Sequence, residues 1–227
     1  MSNSFLNNDL DFSVSYHNFD PEDIQTDETV NCVFVVDLSP SVQSYVADLN
    51  HAFNDFIAQV RQSHLADQLL VSIVEFNEKV WIETGFQPAS HVPAINFVPC
   101  GGGTALYDAT LRGLKHAVDY RQTLAVSGIN TKTLLFIITD GEDNSSTIGA
   151  AVVRDALNKI YADERNTFSF QSILFGVGSA AYFQKAQVDM GIQHLASVGT
   201  SGSEIKRMLG LISRSVSSTA NNKAITF

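Results

Sequence analysis

The stretch that decides the fold is VFVVDLSPSVQSYV, from Val33 to Val46. It begins with four apolar residues, reaches one aspartate, Asp37, and then places serines two and four positions later, Ser39 and Ser41. A continuous apolar run is typical of a strand that is covered on both faces, as in the parallel sheets of α/β proteins. The stretch therefore predicts a buried strand that ends on a carboxylate and is followed by two hydroxyls.

Helical and strand patterns alternate along the rest of the chain. The segment LLVSIVEFNEKVWIETGF (69–86) predicts a hairpin of two strands around the turn Asn77-Glu78. Apolar spacing predicts the remaining helices near 42–60, 106–120, 152–160 and 205–216, and the remaining strands at 132–140, 168–178 and 192–197. Strands that alternate with helices imply an α/β fold with a doubly wound, mostly parallel sheet, to which the hairpin adds one antiparallel edge.

The composition indicates one globular domain without a general affinity for nucleic acid. The 227 residues suffice for one large α/β core, and 44% hydrophobic with 17% charged residues fit a folded chain rather than a disordered one. The net charge of −10 argues against a duplex-binding face, because neutralisation of phosphates requires clustered Lys and Arg.

Acidic residues concentrate at the start of the chain. Residues 1–29 contain no Lys or Arg, and their acidic residues are Asp9, Asp11, Asp20, Glu22, Asp23, Asp27 and Glu28. We expect a solvated arm over residues 1–29, the globular domain over 30–218 and a loosely attached polar tail over 219–227.

The sequence carries no membrane or disulfide signal. No apolar run approaches the roughly 20 residues that a membrane-spanning helix needs, and the first residues lack the basic and apolar regions of a signal peptide. We therefore expect a cytoplasmic protein with no membrane partner. The two cysteines, Cys32 and Cys100, show no spacing for a zinc site or a disulfide framework, so free thiols are expected.

Two apolar strands are predicted to end in acid at the same edge of the sheet. Asp37 closes the first strand, and Asp140 closes KTLLFIITD, which begins at Lys132. Ligands of open α/β sheets bind beyond the carboxyl ends of the strands, at a topological switch point. No Lys or Arg stands beside either aspartate in the sequence, so the two carboxylates would repel each other unless a cation or a proton lay between them. The pattern therefore predicts a metal site.

The serines fit such a site. Asp37, Ser39 and Ser41 alternate, so that their oxygens can point the same way in an extended turn, and Pro40 suits the first turn of a helix. Carboxylate, hydroxyl and water oxygens suit a hard cation, for which Mg²⁺ is our first choice and Mn²⁺ or Ca²⁺ are alternatives. Because Asp and Ser are also favoured at helix N-caps, a simple cap is the structural alternative.

The segment DLSPS resembles the Asp-x-Ser-x-Ser signature of von Willebrand factor A (vWA) domains. In that family a metal-ion-dependent adhesion site (MIDAS) is completed by a threonine and an aspartate from two further loops. The resemblance assigns these roles to residues in GGGTAL and IITDGED, so the implied metal ligands are Asp37, Ser39, Ser41, Thr104 and Asp140. It covers about residues 30–218 and implies the Rossmann-like vWA fold.

The resemblance also implies a function. We expect a metal-dependent protein-binding module that is not an enzyme, in which the bound cation coordinates a Glu or Asp carboxylate of a partner protein. The single-domain layout and the closing LISRSVSS resemble stand-alone intracellular bacterial and phage members, such as those linked to tellurium resistance. The sequence leaves the oligomeric state open.

Two other classes of function remain open. A strand that ends on aspartate also occurs in Mg²⁺-dependent phosphatases of the haloacid-dehalogenase type, but these need a second aspartate two residues later, where this chain has Ser39. Alternatively, the chain is a structural subunit whose metal site a neighbouring chain occupies permanently. A nucleotide site at Gly101–Gly103 is disfavoured, because the loop lacks the lysine of a P-loop.

Overall fold

The computed structural model of the chain describes residues 17–162, 169–178 and 181–223. Within these ranges six strands and five α-helices follow one another. Their bounds are β1 Glu28–Asp37, α1 Val46–Arg61, β2 Leu69–Phe76, β3 Val80–Pro88, α2 Leu106–Val126, β4 Asn130–Thr139, α3 Ala150–Tyr161, β5 Phe170–Val177, α4 Ala181–Met190, β6 His194–Val198 and α5 Gly202–Ala220.

The strands form one doubly wound sheet in the order β3-β2-β1-β4-β5-β6. β1 lies in the middle and pairs in parallel with both β2 and β4, and the parallel pairing continues through β5 to β6. Only β3, the second strand of the hairpin, runs antiparallel at one edge of this sheet. The predicted fold class, a mostly parallel Rossmann-like sheet with one antiparallel edge, is confirmed.

Apolar strands allow helices to pack on both faces of the sheet. Nine of the ten residues of β1 are buried, which agrees with the continuous apolar run in its sequence. On one face Phe34 contacts Phe53 and Phe56 of α1 edge to face, at ring-centroid distances of 4.9 Å and 5.9 Å. On the other face Phe86 stacks on Tyr120 of α2 at 4.6 Å. The sheet therefore separates two cores, one with α1 and α5 and one with α2 and α3.

The main difference from the predicted elements is α4, which the sequence pattern did not reveal. The helix has ten residues and only weak segregation of apolar from polar side chains. It is held by Phe183, which is fully buried against Gly176 of β5. A Cβ atom on Gly176 would lie 2.2 Å from the Phe183 ring, so the glycine leaves the space that the ring fills. A contact of this kind depends on tertiary packing, not on periodicity. α2 is also longer than predicted and continues to Val126.

Part of the expected N-terminal arm packs against the sheet. The Phe19 N–H donates to the Phe86 carbonyl at 2.6 Å, and the Tyr120 hydroxyl donates to the Phe19 carbonyl at 2.8 Å. Ile24 packs against the core on the α2 side. The acidic side chains between residues 20 and 28 are exposed, as expected of a solvated segment, but the backbone beneath them is anchored. Residues 1–16 of the expected arm lie outside the described residues.

The expected tail begins inside a helix. α5 continues to Ala220, and Thr219 is buried, with its carbonyl accepting a hydrogen bond from Lys132 Nζ at 3.1 Å. The first residues of the span 219–227 are therefore attached, in contrast to the loose tail that we expected, and residues 224–227 lie outside the described part. Both cysteines are free, with Cys32 buried and Cys100 exposed. No helix in the described ranges is long and apolar enough to cross a membrane.

Candidate metal centre

The candidate centre lies where the two central strands end. The parallel register pairs Val36 with Ile138, which places Asp37 beside Thr139 and Asp140 just beyond the end of β4. β1 leads to α1 and β2 on one side, whereas β4 leads to β5 and β6 on the other. This is the topological switch point of the sheet, the position at which open α/β sheets bind ligands. Asp140 follows its strand by one residue instead of closing it, which is a small correction to the prediction.

Asp37 is a buried carboxylate, and both of its oxygens accept hydrogen bonds. Its Oδ1 accepts from the Ser39 N–H at 2.9 Å, and its Oδ2 accepts from the Thr139 hydroxyl at 2.6 Å. Burial raises the pKa of Asp37 above its usual value, and the charge of Asp140 adds to the rise, although the hydrogen bonds from Thr139 and Ser39 oppose it. The carboxylate is thus oriented by the fold, but its negative charge is poorly compensated.

The two serines connect Asp37 to Asp140. Ser39 directly precedes the 3₁₀ helix Pro40–Ser44 and Ser41 is its second residue, and their hydroxyl oxygens are 3.1 Å apart. The Ser41 hydroxyl donates to Asp140 Oδ1 at 2.7 Å. Ser39 occupies the N-cap position, but its side chain makes no capping hydrogen bond. The simple helix cap that we considered is therefore not what the Ser39 hydroxyl does in this structure.

Thr104 approaches from the glycine-rich loop. It is buried, and a Cβ atom on Gly141 would lie 3.4 Å from Thr104 Oγ1 and 4.0 Å from Asp37 Oδ2. The threonine hydroxyl and the Asp37 carboxylate therefore lie on the same small space beside Gly141. The Thr104 N–H donates to Asn144 Oδ1 at 2.8 Å, and the Thr104 carbonyl accepts from the backbone N–H of Asn144 at 3.0 Å. The loop after β4 thus holds the threonine in place.

Two tyrosines complete the surroundings of Asp140. The Tyr182 hydroxyl donates to the Asp140 carbonyl, and the buried Tyr45 lies close enough to the Asp140 carboxylate to affect its pKa. Burial raises the pKa of Asp140, although the hydrogen bond from Ser41 and the nearby Tyr45 side chain lower it. Asp140 is half-buried and Ser41 is exposed, so solvent can reach the centre on the side of these two residues.

The chemistry of the donor set fits a hard divalent cation. The structure brings together the five predicted residues, which supply two carboxylates and three hydroxyls, all of them oxygen donors of the kind that Mg²⁺, Mn²⁺ and Ca²⁺ prefer. No group of three or more His, Cys, Asp or Glu side chains in the described ranges is placed to hold a metal ion, and the candidate centre itself has only two carboxylates. Metal binding by Asp37, Ser39, Ser41, Thr104 and Asp140 stays a prediction, to which this geometry adds support.

Several contributors to the centre were missed by sequence reasoning. Thr139 stands directly before Asp140, but its bond to Asp37 follows only from the register of β1 and β4. Tyr45 and Tyr182 reach Asp140 from other elements, and no sequence spacing links them to it. Asn144 is the exception, because an amide side chain in an acidic loop beside a predicted ligand could have been named as a candidate.

Comparison with known proteins gives a structural likeness only. No protein-family model matches the sequence, and no curated protein matches it. Similar solved structures include the pilus adhesin SpaC from Lactobacillus rhamnosus GG in its open conformation, which is 13% identical, with a TM-score of 0.59 over 88% of this chain. The ArnB paralog VWA2 from Sulfolobus acidocaldarius is 14% identical, with a TM-score of 0.54 over 81%. Proximal thread matrix protein 1 from the mussel byssus, with a zinc-occupied MIDAS motif, is 15% identical, with a TM-score of 0.55 over 83%.

These likenesses establish the fold. Identities this low carry no residue roles, but the shared architecture is that of a vWA-like, Rossmann-like domain. The chain spans 31% of the SpaC chain, 45% of the VWA2 chain and 48% of the mussel protein, so it corresponds to less than half of each of them.

Proposed function

We propose, from the vWA-like fold of the chain, that it is a metal-dependent protein-binding module. The observation that carries the proposal is the meeting of Asp37, Ser39, Ser41, Thr104 and Asp140 at the switch point of the sheet. These residues would hold a divalent cation, Mg²⁺ first, as a complete MIDAS. The zinc-occupied MIDAS motif of the mussel protein supports a divalent cation in this fold.

The residues of the centre divide into two roles. Asp37, Ser39 and Thr104 are buried and would form the floor of the site, because the fold fixes their positions. Ser41 and Asp140 lie nearer the surface and would line the opening. When bound, the cation would supply a positive centre to which a Glu or Asp carboxylate of a partner protein can coordinate, even though the chain itself has a net charge of −10.

We also propose that the site binds without catalysing a reaction. A phosphatase of the haloacid-dehalogenase type needs a carboxylic acid two residues after its nucleophilic aspartate. Here that residue is Ser39, whose buried hydroxyl forms a hydrogen bond with Ser41 and is a poor proton donor at neutral pH. Mg²⁺-dependent hydrolysis of an aryl phosphate that is abolished by Asp37→Asn would favour the enzyme instead. The link to tellurium resistance stays a prediction from the sequence.

The experiment that tests the proposal is metal-dependent capture of the partner from a lysate of the source cells. Immobilised wild-type protein is compared with Thr104→Ala in Mg²⁺ and in EDTA. We expect a partner that is retained only by wild-type protein in Mg²⁺, and whose binding is lost when one of its own Glu or Asp residues is changed to Gln or Asn. A partner that binds equally well in EDTA, or to Thr104→Ala, would contradict the proposal.

A further inference from the structure

The turn of the β2–β3 hairpin contacts the loop that carries Thr104. Glu78 lies at the tip of this turn, and its Oε2 accepts hydrogen bonds from the Gly102 N–H at 2.6 Å and the Gly103 N–H at 3.3 Å. Gly102 and Gly103 are the two residues directly before Thr104. An exposed side chain from a different part of the sheet thus holds the backbone that delivers a predicted metal ligand.

Asn77, the neighbour of Glu78, holds the same loop at its two ends. The Asn77 side-chain amide donates to the Cys100 carbonyl at 3.1 Å, and the Asn77 carbonyl accepts from the Ala105 N–H at 2.7 Å. Asn77 is buried, and its own side-chain oxygen accepts from the Lys79 N–H at 2.8 Å, which fixes the turn. We call Asn77 and Glu78 together the hairpin clamp. Its contacts fall on both sides of Thr104.

Gly101 shows how closely the hairpin clamp approaches the loop. Its backbone has φ of +79°, a conformation that residues with a Cβ atom rarely adopt. A Cβ atom on Gly101 would lie 2.2 Å from Glu78 Oε2 and 2.6 Å from Asn77 Nδ2, so only glycine allows the contact. By contrast, a Cβ atom on Gly102 would meet nothing within 4 Å. A Cβ atom on Gly103 would lie 2.0 Å from Ser145 Oγ, so the loop is packed closely at both Gly101 and Gly103, and the approach to the hairpin clamp is made at Gly101.

Because three consecutive glycines precede Thr104, the contacts of the hairpin clamp with this loop are important for the affinity of the site for metal. Glycine has more backbone conformations to lose than any other residue, so a segment Gly101–Gly103 without external contacts would spread over many states. When only a fraction of molecules places the Thr104 hydroxyl correctly, the apparent affinity for a ligand falls by that fraction. The contacts of Glu78 with Gly102 and Gly103 reduce that loss, because they fix the two amides before Thr104, whereas Asn144 holds the backbone of Thr104 itself.

We infer that Glu78 is a positioning residue for the metal centre: its carboxylate accepts the Gly102 and Gly103 amides and so holds Thr104 in its binding position without touching the cation. This inference rests on the proposed function, because it assigns to the hairpin clamp control over the affinity of the same site. The Glu78 side-chain oxygen holds the loop by accepting these hydrogen bonds, and its negative charge is not required for this role.

The test combines two measurements on the full chain. Amide hydrogen exchange of residues 101–105 in metal-free protein reports whether Glu78 holds the loop, and calorimetric titration with Mn²⁺ reports affinity. The variants are Glu78→Ala, which removes the acceptor, and Glu78→Gln, which keeps an acceptor oxygen but no charge. Asp67→Asn is the control for loss of one surface charge, because Asp67 is exposed in the segment between α1 and β2, before the amino end of β2.

We expect Glu78→Ala to speed exchange at Gly102 and Gly103 by about tenfold or more and to weaken Mn²⁺ binding by about tenfold, with the melting temperature of the metal-free protein little changed. Glu78→Gln should retain most of the affinity, and Asp67→Asn should behave as wild type. Unchanged exchange in Glu78→Ala would overturn the inference, and so would faster exchange with unchanged affinity. Equal losses in Glu78→Gln and Glu78→Ala would also overturn it, because charge would then be the cause.

Failure of the proposed function gives a different result. Wild-type protein would then show no Mn²⁺ binding in the titration. The inferred role of Glu78 at a metal centre would also be wrong in that case. The exchange measurement would still report whether the hairpin clamp holds the loop, since it is made without metal.

Discussion

The two ends of the central strands β1 and β4 both carry polar residues, but they differ in charge and in hydrogen bonding. At the amino end the buried polar residues are neutral, and they are Thr29, Asn31, Thr131 and Thr133, whereas the charged Glu28 is exposed and Lys132 is half-buried. Thr29 and Thr131 share a hydrogen bond of 3.0 Å, but both side-chain polar atoms of Asn31 and the hydroxyl of Thr133 have no partner among the described residues. At the carboxyl end Asp37 and Asp140 carry charge, and each is hydrogen-bonded to hydroxyls from neighbouring elements.

The difference shows which end of the sheet is built for a ligand. Asn31 alternates with Val33 along β1 and so lies on the face that packs against α2, where nothing from outside can reach it. The carboxyl end combines oriented oxygen donors with an opening at Ser41. Changes to the predicted ligands at the carboxyl end should therefore alter binding with little effect on stability, whereas changes to the buried neutral residues at the amino end should alter stability alone. The predictions below test this contrast, beginning with the largest effect.

Asp140→Asn should abolish metal binding and leave the metal-free fold intact. Loss of a charged ligand should weaken Mn²⁺ binding by at least about 100-fold, whereas the metal-free protein loses the repulsion with Asp37 and keeps an amide oxygen that can accept from Ser41. The check is a pair of melting curves with and without Mn²⁺, because a bound ligand stabilises only the state that binds it. If Asp140→Asn unfolds the metal-free protein, the carboxylate is chiefly a structural acceptor and the contrast fails at its strongest point.

Glu75 lies at the carboxyl end of β2, beside Val36 of β1, and it tests whether a buried carboxyl outside the predicted ligand set is tolerated. Burial, with a smaller contribution from the charge of Glu83, raises its pKa to about 7. Because the folded-state pKa lies above the unfolded value, the protonated carboxyl favours the folded state below about pH 4.5, and this stability is lost as the pH rises through about 7. Glu75→Gln should therefore increase the free energy of unfolding by about 3 kcal/mol at pH 8 and have little effect at pH 4.5.

Urea denaturation of wild-type protein and Glu75→Gln at several pH values measures this difference. The exposed Glu83→Gln is the matched control and should produce a much smaller gain. An equal gain from Glu75→Gln at pH 4.5 and pH 8 would show that packing, and not ionisation, is responsible.

The glycines next to Thr104 should differ sharply in their response to alanine. Gly101→Ala forces a left-handed residue to carry a Cβ atom and displaces the Glu78 carboxylate, so it should weaken Mn²⁺ binding by about tenfold. Gly102→Ala, whose Cβ atom meets nothing within 4 Å, should bind as wild type. Calorimetric titration of the two variants side by side provides the measurement. Equal affinities would mean that the loop does not need its contact with the hairpin.

The smallest expected effect lies at the amino end of the sheet. Thr133→Val replaces a fully buried hydroxyl that has no partner among the described residues with a methyl group of the same shape. It should stabilise the protein by about 1 kcal/mol, since the cost of burying an unpaired hydroxyl is removed. Urea denaturation measures the gain, and Mn²⁺ affinity should be unchanged. Weaker metal binding in Thr133→Val would show that the two ends are coupled.

Periodicity in the sequence predicted the fold, and the candidate site was predicted from the strand ends together with the resemblance to vWA domains. The apolar run before Asp37, the hairpin around Asn77 and the acid after Ile138 are local patterns. Such patterns predicted the strands in the order in which they occur along the chain. Asp37 and Asp140 were brought to one edge because parallel strands end at the same side of a sheet.

Other contacts could not be predicted in this way. The Thr139–Asp37 bond requires the register between β1 and β4, and the hydrogen bonds from Gly102 to Glu78 join residues 24 positions apart. α4 is held by the fit of Phe183 against Gly176. Each of these contacts depends on tertiary packing, which cannot be read from the spacing of residues in one sequence.

The central claim, that five oxygen-bearing residues at the switch point form a divalent-cation site, is tested most directly by calorimetric titration of the chelator-treated full chain with Mn²⁺. Wild-type protein should bind one cation per chain. Thr104→Ala should retain the wild-type circular dichroism spectrum and metal-free melting temperature but show little or no binding. Absence of binding by wild-type protein at millimolar Mn²⁺ and Mg²⁺, or wild-type affinity in Thr104→Ala, would contradict the account.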